Sequence, residues 1–129
     1  MGTVVLDAGV VIGALDDADA HHVAAIASIA ARSEDDLRLP ASAYSEVLVV
    51  PARTGRLDEV RSDLASLGLG VDPIAASAAE EAARLRARHP SLRLPDALVI
   101  AHAEAIGADE LLTTDARWKR FSTRVRVVA

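Results

Sequence analysis

Two short aliphatic runs, TVVLD at 3–7 and ELLTTD at 110–115, each end on an aspartate, and most of the stretch between them carries helical patterning. A β-branched or aliphatic run without alternating polar positions is the signature of a strand buried on both faces. Such strands, separated by helices, cannot pair through tight hairpins. They pair through crossovers, which defines an α/β fold with a mostly parallel sheet and helices on both sides. The 129 residues suffice for one domain, expected to span 1–129 as a three-layer α/β/α sandwich with about four or five strands.

The remaining segments fit this plan. AGVVIGAL predicts a helix after the first strand. Asp17 or Asp19 can cap the next helix, where Val23, Ile26, Ala27 and Ala30 fall at i, i+3, i+4 and i+7 and predict its apolar face. LRLP reads as a strand end before Pro40. A helix is predicted from about Ser42, kinked or ended by Pro51 and closed by Gly55. RLDEVRSDLASLG is a helix stopped by Gly68, LGVDPI a brief strand, and AASAAEEAARLRARH a helix ending near Pro90. LPDALVIAHAEAIG is a helix with Pro95 suited to its first position and Gly107 to its C-terminal cap, and VRVV is a closing edge strand.

Hydrophobic residues make up 51% of the chain, but the only aromatics are Tyr44, Trp118 and Phe121. The core must therefore be aliphatic. The absence of cysteine excludes disulfides, thiolate–metal sites and thiol catalysis. No apolar run reaches 18 residues, and the first residues lack the basic and apolar regions of a signal peptide, so a cytoplasmic protein is expected. The net charge of −5 is unevenly spread: residues 1–83 carry fourteen acidic and five basic side chains, residues 84–129 five acidic and nine basic. Local arrangement governs the field near a surface, so an acidic total does not exclude a nucleic-acid partner.

Ligand sites of open parallel sheets lie beyond the carboxyl ends of the strands, where Asp7 and Asp115 stand. Asp96 falls in the first turn of a helix, whose free N–H groups and dipole favour an anion. Singly, each has an ordinary explanation as a turn or helix-start residue, and Glu46 could simply face solvent. Together they form a candidate cluster of hard oxygen ligands suited to Mg²⁺ or Mn²⁺ and, through such an ion, to phosphoryl chemistry. The four histidines show no ligand spacing, and Trp118 reads more readily as packing than as a base-stacking platform.

The stretches VVLDAGVVIGAL, LPASAYSEVLVV, RLPDALVIAHAEAIGA and LLTTDARW, in this order and spacing, resemble the PIN-domain ribonucleases, and within them the VapC-type toxins of bacterial toxin–antitoxin pairs. The resemblance spans nearly the whole chain. It implies that Asp7, Glu46, Asp96 and Asp115 are the catalytic, metal-holding acids, with Thr113 a hydrogen-bonding group behind them. Gly9 departs from the pattern, which often has a small hydroxyl residue there. The implied activity is metal-dependent hydrolysis of single-stranded or loop RNA, with Mg²⁺ or Mn²⁺ as cofactor and 5′-phosphate and 3′-hydroxyl ends on the products. Arg84, Arg88, Arg93, Arg117, Lys119 and Arg120 are candidate contacts to the RNA backbone. The implied partners are a small cognate antitoxin and a second copy of the chain, with the EVLVV helix a candidate interface. Two alternatives stay open. One is a PIN scaffold that only binds. The other is an aspartate-based phosphatase or phosphoacceptor domain, although Gly9 stands where the phosphatase needs a second aspartate and Lys119 is the only lysine.

Overall fold

The computed structural model describes all 129 residues. The central strand, β1 (Thr3–Leu6), is buried on both faces: Val4, Val5 and Leu6 are each no more than 1% exposed. It leads through Asp7 into α1 (Ala8–Leu15) and then α2 (His22–Ala30). Next come β2 (Asp36–Pro40), α3 (Ala41–Arg53), α4 (Leu57–Ser66) and β3 (Leu69–Asp72). The chain continues with α5 (Ala76–Arg88), α6 (Leu94–Ala105), β4 (Glu110–Thr113), a short 3₁₀ turn over Ala116–Arg120, and β5 (Val125–Val127).

All five strands pair in parallel, in the order β3-β2-β1-β4-β5. The helices surround this sheet in the expected three-layer arrangement, with α1 packed against both α2 and α3, α3 against α4, and α5 against α6. The order fixes the place of a site. The chain moves outward from β1 to β3, then returns to put β4 on the other side of β1. The strand order therefore reverses between β1 and β4, and a crevice opens there at the carboxyl edge. Leu6 is in register with Leu112, so the residues that follow, Asp7 and Thr113, stand side by side.

The core is aliphatic, with Trp118 the largest buried side chain at 2% exposure, consistent with a packing role. Gly68 and Gly107 end α4 and α6 with φ of 76° and 65°, the left-handed conformation that favours glycine.

Three local expectations need correction. The predicted face of α2 is the exposed one: Val23 is 80% exposed and Ile26 40%, whereas Ala25 and Ile29 are buried. Nearly every position of HVAAIASIA is apolar, so the periodicity does not discriminate between faces. No aspartate side chain caps this helix; His21 holds the capping position, and Asp19 instead accepts a hydrogen bond from the His21 N–H at 2.8 Å. Pro51 lies inside α3, which continues to Arg53. Proline there removes one hydrogen bond without ending the helix, which runs on for two more residues. No helix is long and apolar enough to cross a membrane.

Candidate active site

Asp7 caps α1 at the switch point between β1 and β4. Its Oδ1 accepts from the Ala8 N–H at 2.8 Å, and its Oδ2 accepts from the Thr113 hydroxyl at 3.1 Å. Thr113 is fully buried, and its hydroxyl oxygen accepts in turn from the Asp115 N–H at 3.1 Å. One threonine thus ties the ends of the two central strands together and sets the orientation of Asp7. Burial pushes the Asp7 carboxyl up to about 7; the charges of Asp96 and Glu46 push the same way, against the hydrogen bonds from Thr113 and Ala8.

Glu46 and Asp96 arrive on two helices. Pro40 ends β2 and caps α3 with no loop between, which fixes α3, and with it Glu46, at the carboxyl edge. Asp96 stands in the first turn of α6, after Pro95, and α6 packs against α3. Burial and the charge of Asp96 raise the Glu46 carboxyl, opposed by Arg93. Burial raises Asp96 as well; Asp115 adds to this, while Arg93 and Arg117 oppose it. The four sequence-predicted acids therefore share one electrostatic neighbourhood.

They are not equivalent. Asp7, Glu46 and Asp96 make no salt bridge, while Asp115 is gripped by Arg117, with Nε 3.0 Å from Oδ1 and Nη2 2.7 Å from Oδ2. Hydrogen bonding by Arg117 holds the Asp115 carboxyl below its ordinary range. No three acidic or histidine side chains converge closely enough, as they stand, to hold an ion. The donor chemistry nevertheless fits a hard divalent cation: all four are carboxylates, and the most strongly shifted has no cation against it. One turn before Glu46, the buried Ser42 hydroxyl oxygen also lacks a hydrogen-bond partner. Residue 9 offers no hydroxyl, and a β-carbon there would lie 3.0 Å from the Thr114 hydroxyl oxygen, which already fills that space.

The candidate basic residues divide. Arg93 and Arg117 line a cavity of about 110 Å³ together with Asp96, Asp115, Ser91 and Phe121. Arg120 lies over the Phe121 ring, 5.0 Å from its centre, and Lys119 on the same 3₁₀ turn makes no ion pair. Arg84 and Arg88 both bridge to Glu81 on the exposed surface of α5, and no contact links them to the acids. A larger groove of about 450 Å³ begins at Glu46 and runs between α1, α3 and α4, past Ile12, Leu15, Val50 and Val60.

A second polar cluster had no signal in the sequence. His102, 3% exposed, places Nε2 2.9 Å from Asp72 Oδ2, and Arg38 donates from Nε to Asp72 Oδ1 at 2.9 Å. The Arg38 guanidinium lies across Gly70, where a β-carbon would overlap it. Arg38 and Asp72 are 34 positions apart and Asp72 and His102 are 30 apart, so no local spacing could reveal them.

A wholly parallel α/β/α domain with coupled carboxylates at its switch point is a framework suited to phosphate chemistry. The sequence model of the PIN domain matches residues 4–123, and the chain belongs to that family. No curated protein sequence matches it significantly. Solved structures share the fold. A toxin–antitoxin complex from Klebsiella pneumoniae matches with a TM-score of 0.80 at 21% identity over 98% of both chains. The sarcin–ricin loop cleaving toxin VapC20 of Mycobacterium tuberculosis gives 0.78 at 16% identity, covering 92% of this chain and 95% of that one. VapBC2 from Rickettsia felis, bound to a promoter DNA fragment, gives 0.75 at 15% identity over 98% and 99%.

Proposed function

We propose that the chain is a divalent-metal-dependent endoribonuclease of the VapC toxin type, with a cognate antitoxin as its partner. The observation that carries this reading is Asp7: a carboxylate at the switch point of a PIN fold, coupled to Asp96 and Glu46 and lacking any cationic partner. Asp7, Asp96 and Glu46 would hold Mg²⁺ or Mn²⁺, with Asp115 completing the ring. Such an ion, when bound, acidifies water for attack on phosphorus and neutralises charge on the phosphate.

The protein's own groups do the positioning. Thr113 fixes one oxygen of Asp7 and the Ala8 N–H the other, so the carboxylate meets its ligand already oriented. Arg93, beside Glu46 and Asp96, offers a free guanidinium to an RNA phosphate, and the exposed Lys119 offers a second charge. Water, not the 2′-hydroxyl, would be the nucleophile; with the P–O3′ bond breaking and the 3′-oxygen taking up a proton, the products would carry 5′-phosphate and 3′-hydroxyl ends. The groove leading from Glu46 is lined by three further acids (Asp16, Asp17, Asp63), one base (Arg56) and apolar side chains between them. It suits an antitoxin segment with an apolar face and a basic side chain that reaches the acids. Val49 and Val50, 46% and 59% exposed on α3, are the part of the EVLVV helix open to a second copy. The toxin and antitoxin relationships of the structural neighbours support these assignments, and the PIN family match leaves the phosphoacceptor alternative without support.

The test is cleavage of a mixed RNA pool by the native chain and by Asp96→Asn, with Mg²⁺ or with a chelator. Cutting that needs both Asp96 and Mg²⁺ is expected. Equal cutting by both proteins, or cutting in chelator, would reject the mechanism.

A further inference from the structure

Only one of the four acids is paired, and its partner is two residues away. We propose that Arg117 is an internal counter-ion of the site: it occupies Asp115 in the metal-free protein, competes with a divalent cation for that carboxylate, and on release contacts the RNA backbone. The proposal rests on the metal-nuclease reading above.

Four features of the geometry support it. Arg117 engages both Asp115 oxygens through a planar fork, so a cation taking that carboxylate must open the pair. The fork is easily opened, since the Arg117 side chain is 83% exposed and an exposed pair is weakly held in water. Asp115 does not depend on the fork for its place: its Oδ1 also accepts from the Arg117 N–H at 3.0 Å and its own N–H is held by Thr113. The side chain can therefore leave while the carboxylate stays oriented. Arg117 also borders the cavity shared by Asp96 and Arg93, so a released guanidinium stays within reach of a phosphate bound there. Arg117 is thus a positioning residue for Asp115 and a switchable charge for the substrate.

Calorimetric titration of the metal-free full chain with Mn²⁺ alone tests this, comparing the native protein with Arg117→Ala, Arg117→Lys and Asp96→Asn. Arg117→Ala keeps the backbone cap and is expected to bind Mn²⁺ several-fold more tightly than the native chain, with Arg117→Lys between them. In RNA cleavage at saturating Mn²⁺, Arg117→Ala is expected to raise KM with little change in kcat and to lower the salt slope of RNA binding by about 0.7–1. Unchanged or weakened Mn²⁺ affinity in Arg117→Ala, while Asp96→Asn abolishes binding, would overturn the counter-ion role and leave the metal site standing. Failure of every form to bind Mn²⁺ would overturn both.

Discussion

Asp7 is a carboxylate whose folded surroundings disfavour its charge, and two consequences follow. A carboxyl held at about 7 instead of 3.8 binds a proton more readily in the folded than in the unfolded chain. Metal-free stability therefore falls as pH rises from about 4 to 7 and levels off above that. Asp7→Asn is expected to stabilise the metal-free protein on the order of 2–4 kcal/mol at pH 8 and to flatten this pH dependence, as read by urea denaturation. Lower stability of the variant at pH 8 would contradict the account. Thr113→Val keeps the shape but removes the hydroxyl that orients Asp7. Cleavage is expected to fall about 10–100-fold, with the variant still folded by circular dichroism. Asp7 and Asp115 were legible in the sequence because strand ends are visible as aliphatic runs. Glu46 was not legible from pattern, since its meeting with Asp96 depends on how α3 packs against α6; only the family resemblance singled it out.

Among the elements, the edge strand β3 is held by polar contacts as well as by core packing. Asp72 feels burial, which raises its carboxyl, but hydrogen bonds from Arg38 and His102 outweigh this and lower it. Its stabilising contribution is present above about pH 4 and is lost as pH falls through the depressed value. Asp72→Asn is expected to cost about 1–3 kcal/mol at pH 7, because the carboxylate that holds Arg38 and His102 loses its charge and part of its accepting capacity. Chemical denaturation at pH 7 and pH 3 checks this, the cost shrinking at the lower pH. Strand and helix order was readable because glycines, prolines and aliphatic runs punctuate the chain. The buried face of α2 was not, because that helix is apolar nearly all round and tertiary packing buried Ala25 and Ile29 in place of Val23 and Ile26. The Arg38–Asp72–His102 cluster is likewise created only by β2, β3 and α6 coming together.

The whole molecule is an acidic domain with four of its nineteen carboxylates gathered where the strand order reverses. A cation bound there stabilises the fold by mass action, about 2.7 kcal/mol at a hundredfold excess over its dissociation constant. Because Asp7 must lose its proton first, the rise in Tm on adding Mn²⁺ is expected to be larger at pH 8 than at pH 5. An equal rise at both values would exclude Asp7 as a ligand. The parallel fold was legible from two strands and the helices between them, whereas convergence of side chains from β1, α3, α6 and the β4 end is a property of the folded chain alone. The central claim is that these carboxylates jointly bind one kind of ion, and anomalous diffraction from Mn²⁺-soaked crystals tests it most directly. The account predicts a manganese peak between Asp7 and Asp96, lost in Asp96→Asn. A peak elsewhere, or none at saturating Mn²⁺, would contradict it.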